Sequence, residues 1–283
     1  MDGRFAVMDD HLEAPKSHVA LGKVVLSRLP PGRSVLAAGA PSLKLVLQGE
    51  ELYQIDGKTV RVEPGQFLYL DAGEHCLGTN RKPTDGLCLM IPDMPREAGA
   101  AGHDPVLGRS LVFSTQTSAL GRLLDGYART IAANPALGAR LADDLVEKCR
   151  TAIQEPLGQS KAAMGALRVA KPSTRRELFQ RLERARGFLH DHDTSAITLG
   201  ALARAAGLSQ FHLARYFKAV FGEAPIAYHR ALRLKRAASL LKASASLAEA
   251  AEAVGYSDAV ALSHAFRRQY GCAPQQWVAR EEA

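Results

Sequence analysis

Alternating apolar and polar positions in the N-terminal third of the chain predict β-strands. Asp56-Gly57 separates two of these runs by two residues, a pattern typical of a tight β-hairpin, and Pro64-Gly65 marks a further turn. Short strands joined by such turns predict a small antiparallel barrel or sandwich. The apolar residues of the alternating runs are Leu43, Leu45, Leu47, Val60, Val62, Phe67 and Tyr69.

From about residue 115 onward the apolar spacing is that of helices. One helix is predicted between Ala119 and Ile131, and the next carries an apolar residue at every fourth position. Such a stripe either packs back on the β-domain or pairs with its copy in a second subunit. Pro156 is predicted to end this helix, and residues 158–175, which lack periodicity, are predicted to form a linker. The stripe consists of Leu137, Leu141, Leu145, Cys149 and Ile153.

The C-terminal part contains an internal repeat, with one copy over residues 202–228 and the other over residues 251–277. Each copy predicts a helix, a turn containing glycine and a second helix. Gly207 and Gly255 are 48 residues apart, so the second copy carries one extra residue in or just after its turn. The pairs that are 49 apart are Leu213 and Leu262, Phe217 and Phe266, Gly222 and Gly271, Pro225 and Pro274, and Tyr228 and Trp277.

The second helix of each copy has the features of a helix that enters the major groove of DNA. In the first copy Ser209 is an N-cap, and the helix that follows buries Leu213 and Phe217 while exposing polar residues near its start. Pro225 opens a helix that continues to about residue 243, a length of roughly 27 Å. Such a helix can hold the two copies about one DNA turn (~34 Å) apart, so one monomer can reach two adjacent grooves.

Charge distinguishes the two parts of the chain. Residues 171–283 hold 17 Lys and Arg against 10 Asp and Glu, whereas the preceding residues hold 19 of each. A positive surface suits a polyanion, because neutralised phosphates release counterions, although a mildly basic solvated surface is the other interpretation. The chain shows no apolar run of membrane-spanning length, no secretory signal and no CxxC pair, which predicts a reduced cytoplasmic protein without a membrane partner.

The C-terminal repeat resembles the DNA-binding domain of the AraC/XylS family of bacterial transcription regulators. The likeness is carried by Leu213 to Lys218, Arg233-Leu234, Gly255 to Asp258, and Phe266-Arg267 with Gly271 and Pro274. The N-terminal part is similar to the cupin-like effector domains of that family. The resemblance implies a two-domain α+β protein. Its parts are a cupin-like antiparallel β-barrel with following helices over 1–157, a linker over 158–175, and an all-α domain of two helix-turn-helix units joined by a long helix over 176–283.

The resemblance also implies which residues contact DNA. The family often has Gln or Ser where Val260 stands and Arg where His264 stands. Val260 can meet only thymine methyl groups, so Arg215 in the first unit is predicted to supply most of the base discrimination. A phosphate contact or a salt bridge within the domain is the alternative role for Arg215, and a packed or phosphate-facing histidine is that for His264. The implied contact residues are Ser209, Gln210, Phe211, Ala214, Arg215 and Lys218, and Val260, Ser263, His264 and Arg267.

The N-terminal domain offers candidates for an effector pocket, although a filled core is the alternative. Catalytic cupins hold a metal through an HxH pair with further ligands, and this barrel has no such pair, so we predict no metal, cofactor or catalytic residue. The cluster from His190 to Asp193 is predicted to be a solvated loop and helix cap. The pocket candidates are Leu45, Leu47, Tyr53, Phe67, Tyr69 and His75.

These features predict a sequence-specific DNA-binding transcription regulator that responds to a small-molecule effector. Its expected partners are double-stranded DNA, the effector, a second copy of the chain and, if the protein activates transcription, RNA polymerase. One alternative is a regulator of the same DNA-binding class that has no ligand. The other is a cupin enzyme fused to a DNA-binding module, against which the missing HxH pair counts.

Overall fold

The structure is a computed structural model that describes residues 4–10, 16–17, 23–37, 40–55, 57–72, 75–92 and 110–281. The chain divides into two compact units, Met1–Glu183 and Arg184–Ala283. A β-rich unit followed by a helical unit confirms the predicted two-domain α+β class. The strands are β1 (Phe5–Met8), β2 (Lys16–Ser17), β3 (Val24–Leu29), β4 (Gly32–Ala37), β5 (Ser42–Gln48), β6 (Glu51–Ile55), β7 (Lys58–Val62), β8 (Gln66–Leu70), β9 (His75–Asn80), β10 (Thr84–Met90) and β11 (Ser110–Ser114).

The described strands form two sheets. The six-stranded sheet has the order β1-β3-β10-β5-β8-β11, and the five-stranded sheet has the order β2-β4-β9-β6-β7. Strand β1 pairs in parallel with β3, and β2 in parallel with β4, whereas the other described pairs are antiparallel. Of the two predicted arrangements the described strands therefore form the sandwich. The predicted closed antiparallel barrel is not confirmed, because two N-terminal edge strands run parallel to their neighbours and no ladder between described residues joins the two sheets.

The two predicted turns lie where the sequence placed them. Strands β6 and β7 form a hairpin in which Ile55 pairs with Lys58, and Gly57 adopts a φ of +70°. Between β7 and β8, the amide of Gln66 donates to the carbonyl of Glu63 at 3.0 Å, and Gly65 has a φ of +80°. Glycine tolerates these left-handed conformations without the steric cost that other residues carry.

Strand β5 is buried on both of its faces. Val46 belongs to the core between the sheets, and successive side chains of a strand point to opposite faces. Lys44 therefore faces the second sheet together with Val46, whereas Leu43 and Leu45 face the side that a helix covers. The alternation in the sequence correctly indicates a strand, but it does not show which face meets the other sheet when both faces are buried. That core consists of Val46, Tyr53, Ile55, Val62, Leu68, Leu70 and Cys76.

Helices α1 (Ala119–Ala133) and α2 (Gly138–Ala152), which follow the sandwich, pack back on it. Leu145, Cys149 and Ile153 of the predicted apolar stripe are fully buried, whereas Leu137 and Leu141 are half-buried. Helix α2 packs against α1, β1 and β3, so the stripe covers the β-unit of its own chain. Of the two predicted alternatives, this is packing back on the β-domain. The helices are α1 (Ala119–Ala133), α2 (Gly138–Ala152), α3 (Gln154–Ala166) and α4 (Pro172–Asp191).

The segment predicted as a linker is mostly helical. Helix α2 ends at Ala152, and Pro156 lies in the first turn of α3 instead of ending a helix. Proline is tolerated there because the first amides of a helix have no partner within the helix. Residues 158–166 continue α3, and α4 begins at Pro172, so only residues 167–171 separate two helices.

The second unit consists of short helices around one long helix, α7, which begins at Pro225 and ends at Lys242, as predicted. Within the described ranges, no helix combines the length and the apolar character that crossing a membrane requires. The helices are α5 (Leu199–Ala206), α6 (Gln210–Phe221), α7 (Pro225–Lys242), α8 (Leu247–Ala253), α9 (Ala259–Tyr270) and α10 (Pro274–Glu281).

Candidate DNA-binding site

The first helix pair, α5 and α6, is held by caps on both sides of its turn. The hydroxyl of Thr198 accepts from the amide of Ala201 at 3.1 Å and begins α5. Gly207 ends this helix with a φ of +63°, and the next amide donates back to the carbonyl of Ala203 at 3.0 Å. Ser209 then caps α6 by accepting from the amide of His212 at 3.2 Å. The predicted glycine turn and serine cap are confirmed.

The second helix pair, α8 and α9, has the same design with a longer turn. Ser246 and Glu249 form a capping box at the start of α8, and Gly255 follows that helix with a φ of +69°. The carboxylate of Asp258 caps α9 by accepting from the amide of Ala261 at 2.7 Å. In the first pair one residue lies between the left-handed glycine and the N-cap of the next helix, and in the second pair two residues lie there. The predicted extra residue of the second copy therefore comes just after the glycine.

The two pairs also share their aromatic packing. The ring centroids of Phe217 and Tyr228 are 5.6 Å apart at an interplanar angle of 75°. Those of Phe266 and Trp277 are 5.7 Å apart at 74°. Because each pair joins its second helix to the helix that follows, α6 and α9 occupy equivalent positions in two copies of one packing unit.

Large apolar side chains are exposed at equivalent positions of α6 and α9. Phe211 is 70% exposed and Val260 is 64% exposed, and each is the second residue of its helix. Val7, at 43%, is the only other exposed large hydrophobic residue in the part of the chain that the structure describes. The two exposed apolar side chains therefore occupy the same place in the two copies of the repeat.

The remaining predicted contact residues lie on the same two helices. Ala214 and Ser263 are half-buried, and the guanidinium of Arg215 lies 5.5 Å from the ring centroid of Tyr216. Among the described residues Arg215 makes no ion pair. The structure therefore does not show the salt bridge within the domain that was the alternative role for this side chain. Apart from Phe211 and Val260, the exposed residues among the predicted DNA contacts are Ser209, Gln210, Arg215, Lys218, His264 and Arg267.

The caps of α6 and α9 differ in charge. Ser209 is neutral, whereas hydrogen bonds from the amide of Ala261 and the hydroxyl of Ser257 lower the pKa of the Asp258 carboxyl. Asp258 is therefore ionised at neutral pH and compensates the positive end of the α9 dipole. Sequence reasoning did not include Asp258 among the site residues, although Ser-Asp directly before an apolar helical run is a recognisable start signal.

A buried arginine of α7 holds the turn of the second pair. The Nε of Arg233 donates to the carbonyl of Val254 at 2.6 Å, and its Nη2 donates to the carbonyl of Gly255. Its guanidinium also lies 4.4 Å from the ring centroid of Tyr256. Arg233 therefore satisfies carbonyls at the end of α8 and positions the chain that leads into α9. The sequence showed Arg233 only as part of the family likeness.

The predicted effector-pocket residues separate into three groups. Tyr53 lines a cavity between the two sheets, and Leu45 borders it although its side chain belongs to the face of β5 that a helix covers, whereas Leu47, Phe67 and Tyr69 are not among the described lining residues. The side chain of His75 lies outside what the structure describes. Sequence reasoning missed Lys44, Glu51 and Cys88 in that wall, because strict alternation assigned the even positions of β5 to the outer face.

The cluster from His190 to Asp193 makes contacts within the second unit. His190 lies 2.8 Å from the hydroxyl of Tyr228, and the Nδ1 of His192 lies 2.8 Å from the carbonyl of Phe188. Asp193 forms an exposed ion pair with Arg236 at 3.2 Å. Among the described residues, no group of three or more His, Cys, Asp or Glu side chains is placed to hold a metal ion.

Comparisons with known families agree with this arrangement of a β-rich unit and a helical unit. Residues 4–154 match the model of the AraC-binding-like domain, and residues 202–280 match the model of a helix-turn-helix domain. The two units are thus those of a DNA-binding regulator class. The first match covers more than half of the chain, and the chain belongs to the AraC/XylS family of transcription regulators.

Individual relatives show two kinds of likeness. A putative AraC-like transcription regulator of Streptomyces antibioticus is 41% identical over 31% of this chain, but the match spans only 29% of that relative. An uncharacterized HTH-type transcriptional regulator, YpdC of Escherichia coli, is 24% identical over 92% of this chain and 90% of its own length. The solved structure of the DNA-binding domain of AdpA in complex with a target DNA is 30% identical and covers 35% of this chain and 91% of its own, with a TM-score of 0.34.

Proposed function

We propose that this protein is a sequence-specific DNA-binding transcription regulator whose double helix-turn-helix presents α6 and α9 to DNA. The observation that carries the proposal is the matched exposure of Phe211 and Val260 at the second position of two equivalent helices. Basic side chains, Arg215 with Lys218 on α6 and Arg267 on α9, lie exposed further along each helix. Apolar groups can meet thymine methyls in the major groove, and the cations beside them can meet bases and phosphates, which supports the proposal.

Helix α7 sets the distance between the two recognition helices. It is continuous over 18 residues, which corresponds to about 27 Å, and it contacts both helix pairs. Because neighbouring major-groove segments on one face of DNA are about 34 Å apart, we infer that one monomer reaches two adjacent segments.

The two recognition helices contribute unequally in this proposal. Helix α6 combines a neutral cap with Arg215, which can donate two hydrogen bonds to guanine. Helix α9 combines the ionised Asp258 with Val260, and it carries His264 at the position equivalent to Arg215. We therefore assign most of the base discrimination to α6 and mainly apolar and phosphate contacts to α9.

The N-terminal unit is proposed to be the cupin-like effector-binding and dimerising domain over residues 1–157, separated by residues 158–175 from a DNA-binding domain over 176–283. Binding of a small molecule between its sheets would change DNA binding, and two copies would assemble through this unit. RNA polymerase would be a partner if the protein activates transcription. The proposal includes a cytoplasmic location and no catalytic activity.

The proposal is tested by selecting binding sites for the full chain from a random library of double-stranded DNA. The wild-type protein should enrich one sequence with two half-sites, and mobility shifts should show saturable binding that survives nonspecific competitor. Failure to enrich any sequence would contradict the proposed function.

Two variants on α6 then separate base contacts from phosphate contacts. Arg215→Ala should cost about 1–3 kcal/mol at its preferred base and relax the preference at that position. Lys218→Ala should weaken binding evenly across sequences and reduce the slope of log K against log salt by about one. An Arg215→Ala protein with an unchanged site preference would show that this side chain does not recognise a base.

A further inference from the structure

The chain forms a turn directly after α4, over residues 192–195. The carbonyl of His192 accepts from the amide of Ser195 at 3.3 Å, which closes the turn. Asp193 forms an ion pair with Arg236 of α7 at 3.2 Å. The 192–195 turn is therefore attached to the long helix of the second unit.

The same turn touches the chain that leads into α9. A Cβ on Gly255 would lie 2.7 Å from the carbonyl oxygen of Thr194, so the two backbones are in direct contact. Arg233 of α7 donates to the carbonyls of Val254 and Gly255 next to this contact. Both the guanidinium of Arg233 and the backbone of the 192–195 turn therefore position the chain before α9.

A buried histidine of α7 holds the 192–195 turn. His229 is 2% exposed, and its Nε2 lies 3.0 Å from the carbonyl oxygen of His192. A carbonyl only accepts hydrogen bonds, so the hydrogen of this contact is on Nε2, and in the neutral ring Nδ1 then carries no proton. Because residues four apart lie on the same face of a helix, His229 and Arg233 support the two sides of the Thr194–Gly255 contact from one face of α7.

The surroundings of His229 disfavour a second proton on its ring. Burial is the largest cause, and the positive charges of Arg233 on α7 and of the His192 ring add to it. The hydrogen bond to the carbonyl of His192 and the carboxylate of Asp193 act in the opposite direction but do not outweigh burial. Together these groups lower the pKa of His229 from its ordinary value of 6.5.

Acid should therefore loosen this contact. A ring with two protons would be a buried cation near Arg233, and it would regain its hydration only by leaving its place. Because folding lowers the pKa of His229, its contribution to stability is complete above the ordinary pKa and is lost as the pH falls from there through the lowered pKa. When the ring leaves, the carbonyl of His192 loses the donor that attaches it to α7.

We propose that neutral His229 attaches the 192–195 turn to α7, so that this turn holds the start of α9 in place and mild acid loosens it. The turn before α6 has no such sensitivity, because the residues that shape it, Gly207 and Ser209, carry no titratable side chain. Mild acid should therefore weaken the contact of α9 with DNA more than that of α6. This consequence for DNA rests on the proposed function, whereas the contact and its response to pH do not.

The first test compares the full-length wild type with His229→Gln. The side-chain amide of glutamine can donate from a position close to that of Nε2, but it does not titrate. Urea unfolding followed by the fluorescence of Trp277 is measured at about pH 7.5 and about pH 5.5, on either side of the ordinary pKa of histidine. Between these values the unfolding equilibrium constant of the wild type should rise by up to about tenfold more than that of His229→Gln.

His212→Gln is the matched control, since it removes an exposed histidine of α6. Its stability should change with pH as that of the wild type does. If His229→Gln also keeps the pH dependence of the wild type, the proposal is overturned.

Hydrogen exchange of the wild type tests the same contact without a substitution. Protection factors are compared at the two pH values after correction for the intrinsic effect of pH on exchange. Amides of the 192–195 turn and of the start of α9 should lose more protection in acid than amides of α5 and α6. Equal losses in both helix pairs would overturn the proposal.

DNA binding is measured separately by mobility shift on the sequence that the library selection enriches, where Arg215→Ala identifies the half-site of α6. Relative to His229→Gln, the wild type should lose up to about tenfold in affinity for the complete site at the lower pH, and none for a site that keeps only the α6 half-site. A protein that selects DNA but shows no such loss retains the proposed function and loses this inference. A protein that selects no DNA, but whose stability and exchange depend on His229, retains the contact and loses the proposed function.

Discussion

Two side chains act at opposite ends of the turn that leads into α9. Arg233 donates to the carbonyls of Val254 and Gly255 where α8 ends, and Asp258 accepts from the amide of Ala261 where α9 begins. Both satisfy backbone groups that helix termini leave without partners. Under the proposed function they differ in one respect, because Arg233 is buried whereas Asp258 is exposed at the end of α9 that approaches DNA.

Replacing Arg233 with methionine should destabilise the second unit by about 2–4 kcal/mol, because two backbone carbonyls lose a charged donor in a buried position. Arg230→Met is the matched control, since Arg230 is an exposed arginine of the same helix, and its effect should stay within about 0.5 kcal/mol. Urea unfolding followed by the fluorescence of Trp277, the single tryptophan of the chain, measures both variants. Equal stability of the two variants would contradict the role assigned to Arg233.

Replacing Asp258 with asparagine should strengthen DNA binding. Asparagine is also a good N-cap, so α9 keeps its start, while the loss of the charge on the helix dipole costs about 0.3–1 kcal/mol of stability. Removing one negative charge beside DNA phosphates should raise the affinity roughly threefold at low salt. Glu252→Gln neutralises an exposed carboxylate on α8 and serves as the control in the same mobility shifts. An affinity no higher than that of Glu252→Gln would show that the carboxylate is not near DNA.

At the scale of elements, two left-handed glycines that end helices have different surroundings. Gly255 has a φ of +69°, and a Cβ at this position would lie 2.7 Å from the carbonyl oxygen of Thr194 and 3.0 Å from the Cα of Ser195. Gly271 has a φ of +75°, and a Cβ there would meet nothing within 4 Å. Both positions need glycine for the backbone, but only the turn before α9 needs it for packing as well.

Alanine substitutions at these glycines should therefore differ in their cost. Gly271→Ala should lower the free energy of unfolding by about 1–2 kcal/mol, the cost of a left-handed alanine. Gly255→Ala should lower it by at least about 1 kcal/mol more, because backbone atoms of a neighbouring segment must move. Urea unfolding followed by Trp277 fluorescence measures both variants. Equal losses in the free energy of unfolding would mean that residues 194–195 move aside at no energetic cost.

The sequence predicted elements well where one local signal fixes them. The hairpin at Gly57, the turn at Gly207 with its Ser209 cap and the start of α7 at Pro225 each depend on a few neighbouring residues, and the structure confirms them. The internal repeat also predicted the extra residue of the second turn, since spacing is independent of tertiary contacts.

Other features depend on contacts that a sequence pattern does not contain. Lys44 occupies a buried position of β5 that alternation assigns to the outside, because helices cover the opposite face of that strand. Pro156 was expected to end a helix, but it lies in the first turn of the next one, where the missing amide costs nothing. The buried role of Arg233 depends on carbonyls that lie 21 and 22 residues away.

At the scale of the whole molecule, most of the excess positive charge lies in the second unit. Residues 1–183 hold 23 Lys and Arg against 21 Asp and Glu, whereas residues 184–283, which contain both helix pairs, hold 13 against 8. Counterion release on binding DNA would therefore come from the helical unit. A ligand of the β-unit can change the apparent affinity for DNA, but it should leave the slope of log K against log salt unchanged.

The continuous α7 leads to a test of how one chain meets its DNA site. If one monomer holds α6 and α9 in adjacent grooves, the two half-sites must stay in phase, about 10 base pairs apart. Inserting about five base pairs between them turns one half-site to the opposite face of the duplex, and binding should fall to the level of a single half-site.

Inserting about ten base pairs instead restores the phase but adds roughly 34 Å, which a helix of about 27 Å cannot span, so affinity should stay low. The same insertions placed outside the two half-sites are the control and should leave binding unchanged. Mobility shifts of the full chain measure each site. Recovery of full affinity with the ten-base-pair insertion would mean that the half-sites are held by two different copies of the chain, and α7 would then not be the element that sets their spacing.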